Sequence, residues 1–275
     1  MTFRYLSVIV TALLFVLPLA AAAEAPLPFR TFAPDPDPFD ESQIDLRFLN
    51  QDTAGEDGFV VRRGNRFVFS ETREPVRFWA AVCQKNVDRL SHEEIDYMAR
   101  RFAKNGVNMY RVLKNIAAGG AQDPTTINQR FLDNIHYTVS AMKKQGIYTH
   151  LDLYIPVGVS VKPSWDLPGF EDIGNKAPFS MLFWHPRMEE IYKAWLRKVF
   201  LSENPYTGTT LAEDPAVALY TLANEDNFFF WTFTPGKNIP YECMEVLEKR
   251  FADWAAQRYG SLKKAFDEWD FPNKR

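Results

Sequence analysis

Along the chain, the spacing of apolar residues changes twice. An apolar run from Leu6 to Leu19 follows Arg4 and precedes the small residues Ala20–Ala23. A basic lead, a short apolar core and an A-x-A-like end form the pattern of a secretory signal peptide over residues 1–23. The run is also shorter than the roughly 20 apolar residues that a spanning helix needs. Residues 24–43 are rich in Pro and Asp, including Pro34-Asp-Pro-Asp-Pro38, and predict an extended lead-in that cannot hold a helix. Short alternating segments at 59–63 and 66–70, joined by Arg63-Gly64-Asn65, predict a β-hairpin that plugs one end of the domain beginning near residue 44.

From Val76 onward, continuous apolar runs alternate with stretches of helical period. Strands are predicted at 76–82, 107–113, 147–155 and 217–222. Helices are predicted from Ser91 to Asn105, at 127–145, at 188–201 and at 243–258, with a shorter helical piece after Gly260. Ser91 and Glu94 form a capping box at the first helix start. Ile95, Met98 and Phe102 form its apolar stripe, as do Phe131, Leu132, Ile135, Val139 and Met142 in the second and Ile191, Trp195 and Val199 in the third. Gly106 and Gly146 stand where helices stop. Four successive βα units imply a parallel sheet covered on both faces. That sheet is either open and doubly wound or part of a closed barrel. Gln84-Lys85-Asn86 stands where a dinucleotide-binding turn would need glycines.

Composition narrows the function. Of 275 residues, 46% are hydrophobic and 24% charged, with a net charge of −3. Such a chain has no basic field to neutralise phosphates, so a nucleic-acid partner is not expected. The two cysteines, Cys83 and Cys243, make no disulfide framework and are expected reduced, and the four histidines do not cluster. No metal or organic cofactor is implied.

The candidate chemistry sits at the end of the fourth strand, where Leu219-Tyr-Thr-Leu-Ala223 delivers Asn224 and Glu225 to the C-terminal mouth of the sheet. Glycoside hydrolysis needs a carboxyl group that can protonate a leaving oxygen. Burial among Phe228, Phe229 and Trp231 would raise its proton affinity toward that task. An Asn-Glu pair also suits the cap of a following helix.

The segment Asp214-Pro-Ala-Val-Ala-Leu-Tyr-Thr-Leu-Ala-Asn-Glu225 resembles the acid/base strand of the clan of retaining (β/α)₈ glycoside hydrolases, which includes cellulases, β-mannanases and β-galactosidases. Val76-Arg-Phe-Trp79, Asn105-Gly-Val-Asn-Met-Tyr-Arg111 and Gly146-Ile-Tyr-Thr-His-Leu-Asp-Leu-Tyr154 resemble its first three strands. Asn204-Pro-Tyr-Thr-Gly208, the stretch 251–261 and Glu268-Trp269 recur in it as well. The resemblance runs from about residue 44 onward. It implies an α/β fold, the (β/α)₈ TIM barrel, represented by its first four βα units over 44–275.

What the resemblance implies for the site follows residue by residue. Glu225 is the acid/base and Asn224 the partner of a sugar 2-hydroxyl. Arg111 lies under the site and pairs with the nucleophile. Tyr154 departs from the histidine that many relatives carry here; it, Trp184 and His185 are assigned as sugar contacts, with Trp165 a further candidate and solvent-side packing the alternative, while Asp152 is either a site carboxylate or a structural one and Trp79 packs. The clan's nucleophile stands at the end of strand seven, hence beyond Arg275, so these residues alone are expected to be inactive and weakly stable. The expectation is a secreted or periplasmic hydrolase acting with retention on β-linked oligo- or polysaccharide, without stable membrane insertion. Its rivals are a catalytically inactive carbohydrate-binding or scaffold protein of the same fold and an unrelated α/β enzyme such as a metal-dependent deacetylase.

Overall fold

The computed structural model describes residues 35–82, 87–118 and 121–269. The expected signal peptide, the lead-in up to residue 34, and Cys83 lie outside the described residues. An antiparallel meander comes first: β1 (Val60–Arg63), β2 (Arg66–Phe69) and β3 (Pro75–Val76), in the order β1-β2-β3. The β1–β2 pairing runs from Val60 opposite Phe69 to Arg63 opposite Arg66, closed by Gly64 at φ 62°.

The third strand of the meander corrects the sequence reading. Val76 does not begin the first parallel strand; it pairs with Phe67 in the meander, and Pro75 pairs with Val68. Proline donates no backbone hydrogen bond, so it is tolerated at such an edge. The parallel ladder starts only at β4 (Ala80–Val82). Between the two, the Asn108 side chain accepts from the Trp79 N–H at 2.7 Å and donates to the Arg77 carbonyl at 2.9 Å, standing in for ladder bonds. Trp79 itself is 70% exposed rather than packed.

The parallel sheet has the order β4-β5-β6-β9, with β5 at Met109–Leu113, β6 at Tyr148–Asp152 and β9 at Val217–Thr221. The two-residue strands β7 (Glu203–Asn204) and β8 (Thr209–Thr210) pair in a small hairpin on the way to β9. Helices α1 (His92–Lys104), α2 (Gln129–Lys143) and α3 (Pro186–Phe200) separate the parallel strands, and α4 (Tyr241–Tyr259) and α5 (Leu262–Glu268) follow β9. The capping box opens α1 as expected: Ser91 Oγ accepts from Glu94 N, and the Glu94 carboxylate accepts from Ser91 N at 2.8 Å.

Side-chain alternation divides the sheet into two chemistries. Tyr110, Val112, Leu151 and Leu153 point into the main core with Ile95, Phe131, Ile135, Val139, Ile191 and Trp195 from the helices. On the other face, the N-terminal strand ends contribute Met109, Tyr148 and Ala216 to a second cluster with Phe69 of the meander. Tyr148 ties this end down, donating to Gln51 Oε1 at 2.6 Å and accepting from Gly55 N at 2.9 Å. At Gly146, φ is +67° and an added Cβ would fall 1.9 Å from the Gln51 carbonyl oxygen, so only glycine fits. The meander thus covers the N-terminal ends of the strands and leaves the C-terminal mouth for other residues.

The connection from β6 to α3 is long because it folds as part of the core. Val159, Val161, Trp165, Leu167, Phe170 and Met181 are buried in it. In α4, by contrast, only Cys243 and Ala255 are fully buried. The Cys243 thiol is free, and burial pushes it up to about 12. No helix among the described residues is long and apolar enough to cross a membrane.

Candidate active site

The C-terminal ends of β5, β6 and β9 bring four polar residues together. Arg111 and His150 stand opposite each other in register, and Asp152 stands opposite Thr221. One Arg111 guanidinium nitrogen donates both to Asp152 Oδ2 and to Asn224 Oδ1, the latter at 2.8 Å. His150 Nε2 lies 2.7 Å from Thr221 Oγ1. The face opposite the helices is therefore charged and polar at this end, as a site at the mouth of a parallel sheet requires.

Asp152 is fully buried, and that burial raises its carboxyl above the usual carboxylate range, with the Arg111 guanidinium opposing the shift. Asp152 Oδ1 and Arg111 Nε are buried and without a partner among the described residues. Arg111 was expected to pair with the nucleophile; here its Asp152 and Asn224 bonds fix the guanidinium at the floor of the mouth. Burial, reinforced by Arg111, lowers His150 below its ordinary value, which favours the neutral imidazole.

His150 is a residue that the sequence reading passed over. Its signal was the period of two along β6, which sets Tyr148, His150 and Asp152 on one face. Asn224 is held twice: its N–H donates to the Tyr154 carbonyl at 2.9 Å and its Oδ1 accepts from Arg111. Because that oxygen is occupied, the amide NH₂ is the end left to donate to a ligand hydroxyl.

Glu225 follows directly, with φ +51°, and is exposed. A non-glycine residue in the left-handed region costs about 1–2 kcal/mol and persists only where its surroundings over-determine it. The aromatic surround expected for Glu225 is not there: Phe229 is 99% exposed and Trp231 71%. The burial falls one residue later. Asp226 is 4% exposed, accepts from Ser180 N at 2.7 Å, and is pushed by desolvation to about 7.

Three residues expected as sugar contacts are buried in this structure. Tyr154 is 1% exposed, edge-on to Tyr192, with its hydroxyl donating to the Pro178 carbonyl at 3.5 Å. Trp184 is buried and donates through Nε1 to Ser180 Oγ at 3.2 Å; His185 is buried beside its ring and is the residue before α3. Trp165 is likewise core, donating to the Ala121 carbonyl at 3.2 Å. Burying a large aromatic ring stabilises the fold, and in this connection the rings pack inward. Among the described residues, no group of three or more His, Cys, Asp or Glu side chains is arranged to hold a metal ion.

No family model matches the chain. It is 22% identical over 233 residues to mannan endo-1,4-β-mannosidase 5 of Arabidopsis thaliana, a match covering 80% of this chain and 50% of that protein. The chain thus spans about half the length of the curated relative that it matches. In fold it resembles the endo-1,4-β-mannanase of Rhizomucor miehei, with a TM-score of 0.50 at 15% identity over 73% of this chain and 58% of that one. A glycoside hydrolase family 5 mannosidase of the same fungus aligns at TM-score 0.48 and 15% identity, covering 75% of this chain and 53% of that one. The sequence match and the fold likeness together relate this chain to the clan of (β/α)₈ retaining glycoside hydrolases.

Proposed function

We propose that this chain forms the first four βα units of the barrel of an exported glycoside hydrolase that cleaves β-linked mannan-type polysaccharide with retention. The observation that carries the reading is the bond from Arg111 to Asn224 Oδ1, which orients an amide donor immediately before an exposed carboxyl at the sheet's C-terminal mouth. Two proteins named for mannan cleavage support the substrate class.

In this reading, Glu225 protonates the glycosidic oxygen as the bond to the leaving sugar breaks. A second carboxylate, supplied by the rest of the barrel, attacks the anomeric carbon to give a glycosyl-enzyme. Glu225, now ionised, takes a proton from water as that water attacks the same carbon and displaces the second carboxylate, and the two inversions give net retention. Asn224 donates to the sugar 2-hydroxyl, and Arg111 holds Asn224 in place while its positive field favours an ionised nucleophile. The signal-like segment 1–23 supports export.

The test uses the protein at the length the producing cell makes, purified from its culture medium and assayed on β-1,4-mannan. Hydrolysis that keeps the anomeric configuration and falls at least about 100-fold in Glu225→Gln is the expected result. Oligosaccharide binding without turnover at that natural length would replace this reading with that of a carbohydrate-binding protein.

A further inference from the structure

Glu225 sits between two anchors, and both reach the β6–α3 connection. On one side, Asn224 N donates to the Tyr154 carbonyl at the exit of β6. On the other, Asp226 Oδ1 accepts at 2.7 Å from the N–H of Ser180, itself a buried residue at φ +57°. Ser180 Oγ in turn accepts from Trp184 Nε1, and the turn at Met181–Phe183 brings the Phe183 ring 6.4 Å from that of Phe228. The residues flanking Glu225 are thus stapled to one connection, while the exposed carboxyl between them projects away. Such flanking bonds are what a left-handed glutamate needs in order to persist.

From this geometry we infer that Asp226 is a positioning residue: its buried carboxyl, clamped on Ser180 N–H, sets the backbone turn that aims Glu225. The inference rests on the proposed role of Glu225 and adds a residue to it. A carboxyl excluded from water needs a reason to be there, because an apolar side chain would cost less. Its Oδ2 is buried without a partner among the described residues, so the single bond to Ser180 is what compensates its burial. Burial also favours the protonated carboxyl, which spares the site a negative charge one residue from Glu225.

The chemistry makes the two obvious variants behave differently. Asparagine keeps an oxygen where Asp226 Oδ1 accepts, so Asp226→Asn preserves the clamp. Asp226→Ala removes it and leaves Ser180 N–H unpaired.

Two readouts decide the matter on the natural-length protein. The first is mannan hydrolysis. Asp226→Ala is expected to lower kcat about 10- to 100-fold with KM within about twofold, as for a catalytic group displaced by about an ångström, and Asp226→Asn to stay near the native rate. The second does not depend on turnover. It is the ¹³C resonance of the Glu225 carboxyl, identified by its loss in Glu225→Gln. That resonance is expected to shift in Asp226→Ala and to hold in Asp226→Asn. If the native protein turns over no glycan, the hydrolase reading fails, and the resonance still decides the positioning role. Should the alanine variant not fold, Asp226→Glu, which keeps the acid but displaces it by one methylene, is expected to give the same loss. An unmoved Glu225 resonance in the folded alanine or glutamate variant, or an asparagine variant as impaired as these, overturns the inference.

Discussion

Replacing Arg111 with methionine would strip a fully buried carboxylate, Asp152, of its cation. Burial already raises Asp152 and Arg111 holds it back, so the variant raises it further. The sign follows from linkage. An acid whose folded value lies above its unfolded one stabilises the fold at low pH, and that contribution is lost as pH rises from 3.8 toward the folded value. The variant extends the loss to higher pH. The penalty cannot exceed the cost of keeping the proton on, about 1.4 kcal/mol per pH unit above the ordinary value. That ceiling is about 1.6 kcal/mol at pH 5 and leaves room at pH 8 for the full 3–5 kcal/mol typical of a broken buried pair. With a urea slope near 3 kcal/mol per molar, the midpoint of unfolding is expected to fall by no more than about 0.5 M at pH 5 and by more than about 1 M at pH 8. The double variant Arg111→Met, Asp152→Asn is expected to recover most of the loss at pH 8. An equal drop at both pH values, or a double variant no better than the single one, would refute the reasoning.

Asp226→Asn removes a carboxyl held near 7 in the fold against an ordinary 3.8. Its stability relative to the native protein is expected to improve as pH rises from about 4 to 7 and then to level off; a pH-independent difference in urea midpoints counts against it. Gly146→Ala places a Cβ 1.9 Å from the Gln51 carbonyl oxygen at φ +67°; a loss above about 3 kcal/mol is expected on chemical denaturation, and a neutral result would show that the meander's attachment is loose. Trp195→Ala empties a fully buried site ringed by Tyr154, Trp165 and Tyr192 and leaves the Pro124 carbonyl without its 2.7 Å donor. The expected cost is about 3–5 kcal/mol, checked by the same denaturation curves.

The order of strands and helices was legible because each element buries one face at its own period. Ile95 and Met98 in α1, and Phe131, Leu132, Ile135, Val139 and Met142 in α2, read as stripes and are buried as stripes. The run from Val76 to Val82 misled because an apolar stretch does not record its pairing partner. A change from antiparallel to parallel neighbour at residues 77–79 rests on the side chain of Asn108, some thirty positions away in sequence. Aromatic residues in the β6–α3 connection were ambiguous for a similar reason. Tyr154, Trp165, Trp184 and His185 have the chemistry of sugar contacts, but the connection folds on itself, and its rings become core. Local composition says what a ring can do and not which side of it water occupies.

The turn after β9 shows the limit of strand alternation most directly. Continuing the period of two past Thr221 sets Asn224 on the core face with Tyr220, yet its Oδ1 accepts from Arg111 on the polar face. The chain has left the alternation by then, and a left-handed Glu225 stands exposed beside a buried Asp226. Glutamate does not advertise a positive φ as glycine does, so no pattern of side chains along the chain signals the departure. It is imposed from outside the segment, by the Tyr154 carbonyl and the Ser180 N–H on either side. The residue type that chemistry needs at the mouth of the sheet is therefore readable from sequence, whereas its direction belongs to a connection that ends forty residues earlier, at His185. Substitutions that loosen that connection should be felt at Glu225 before they are felt in the stability of the sheet.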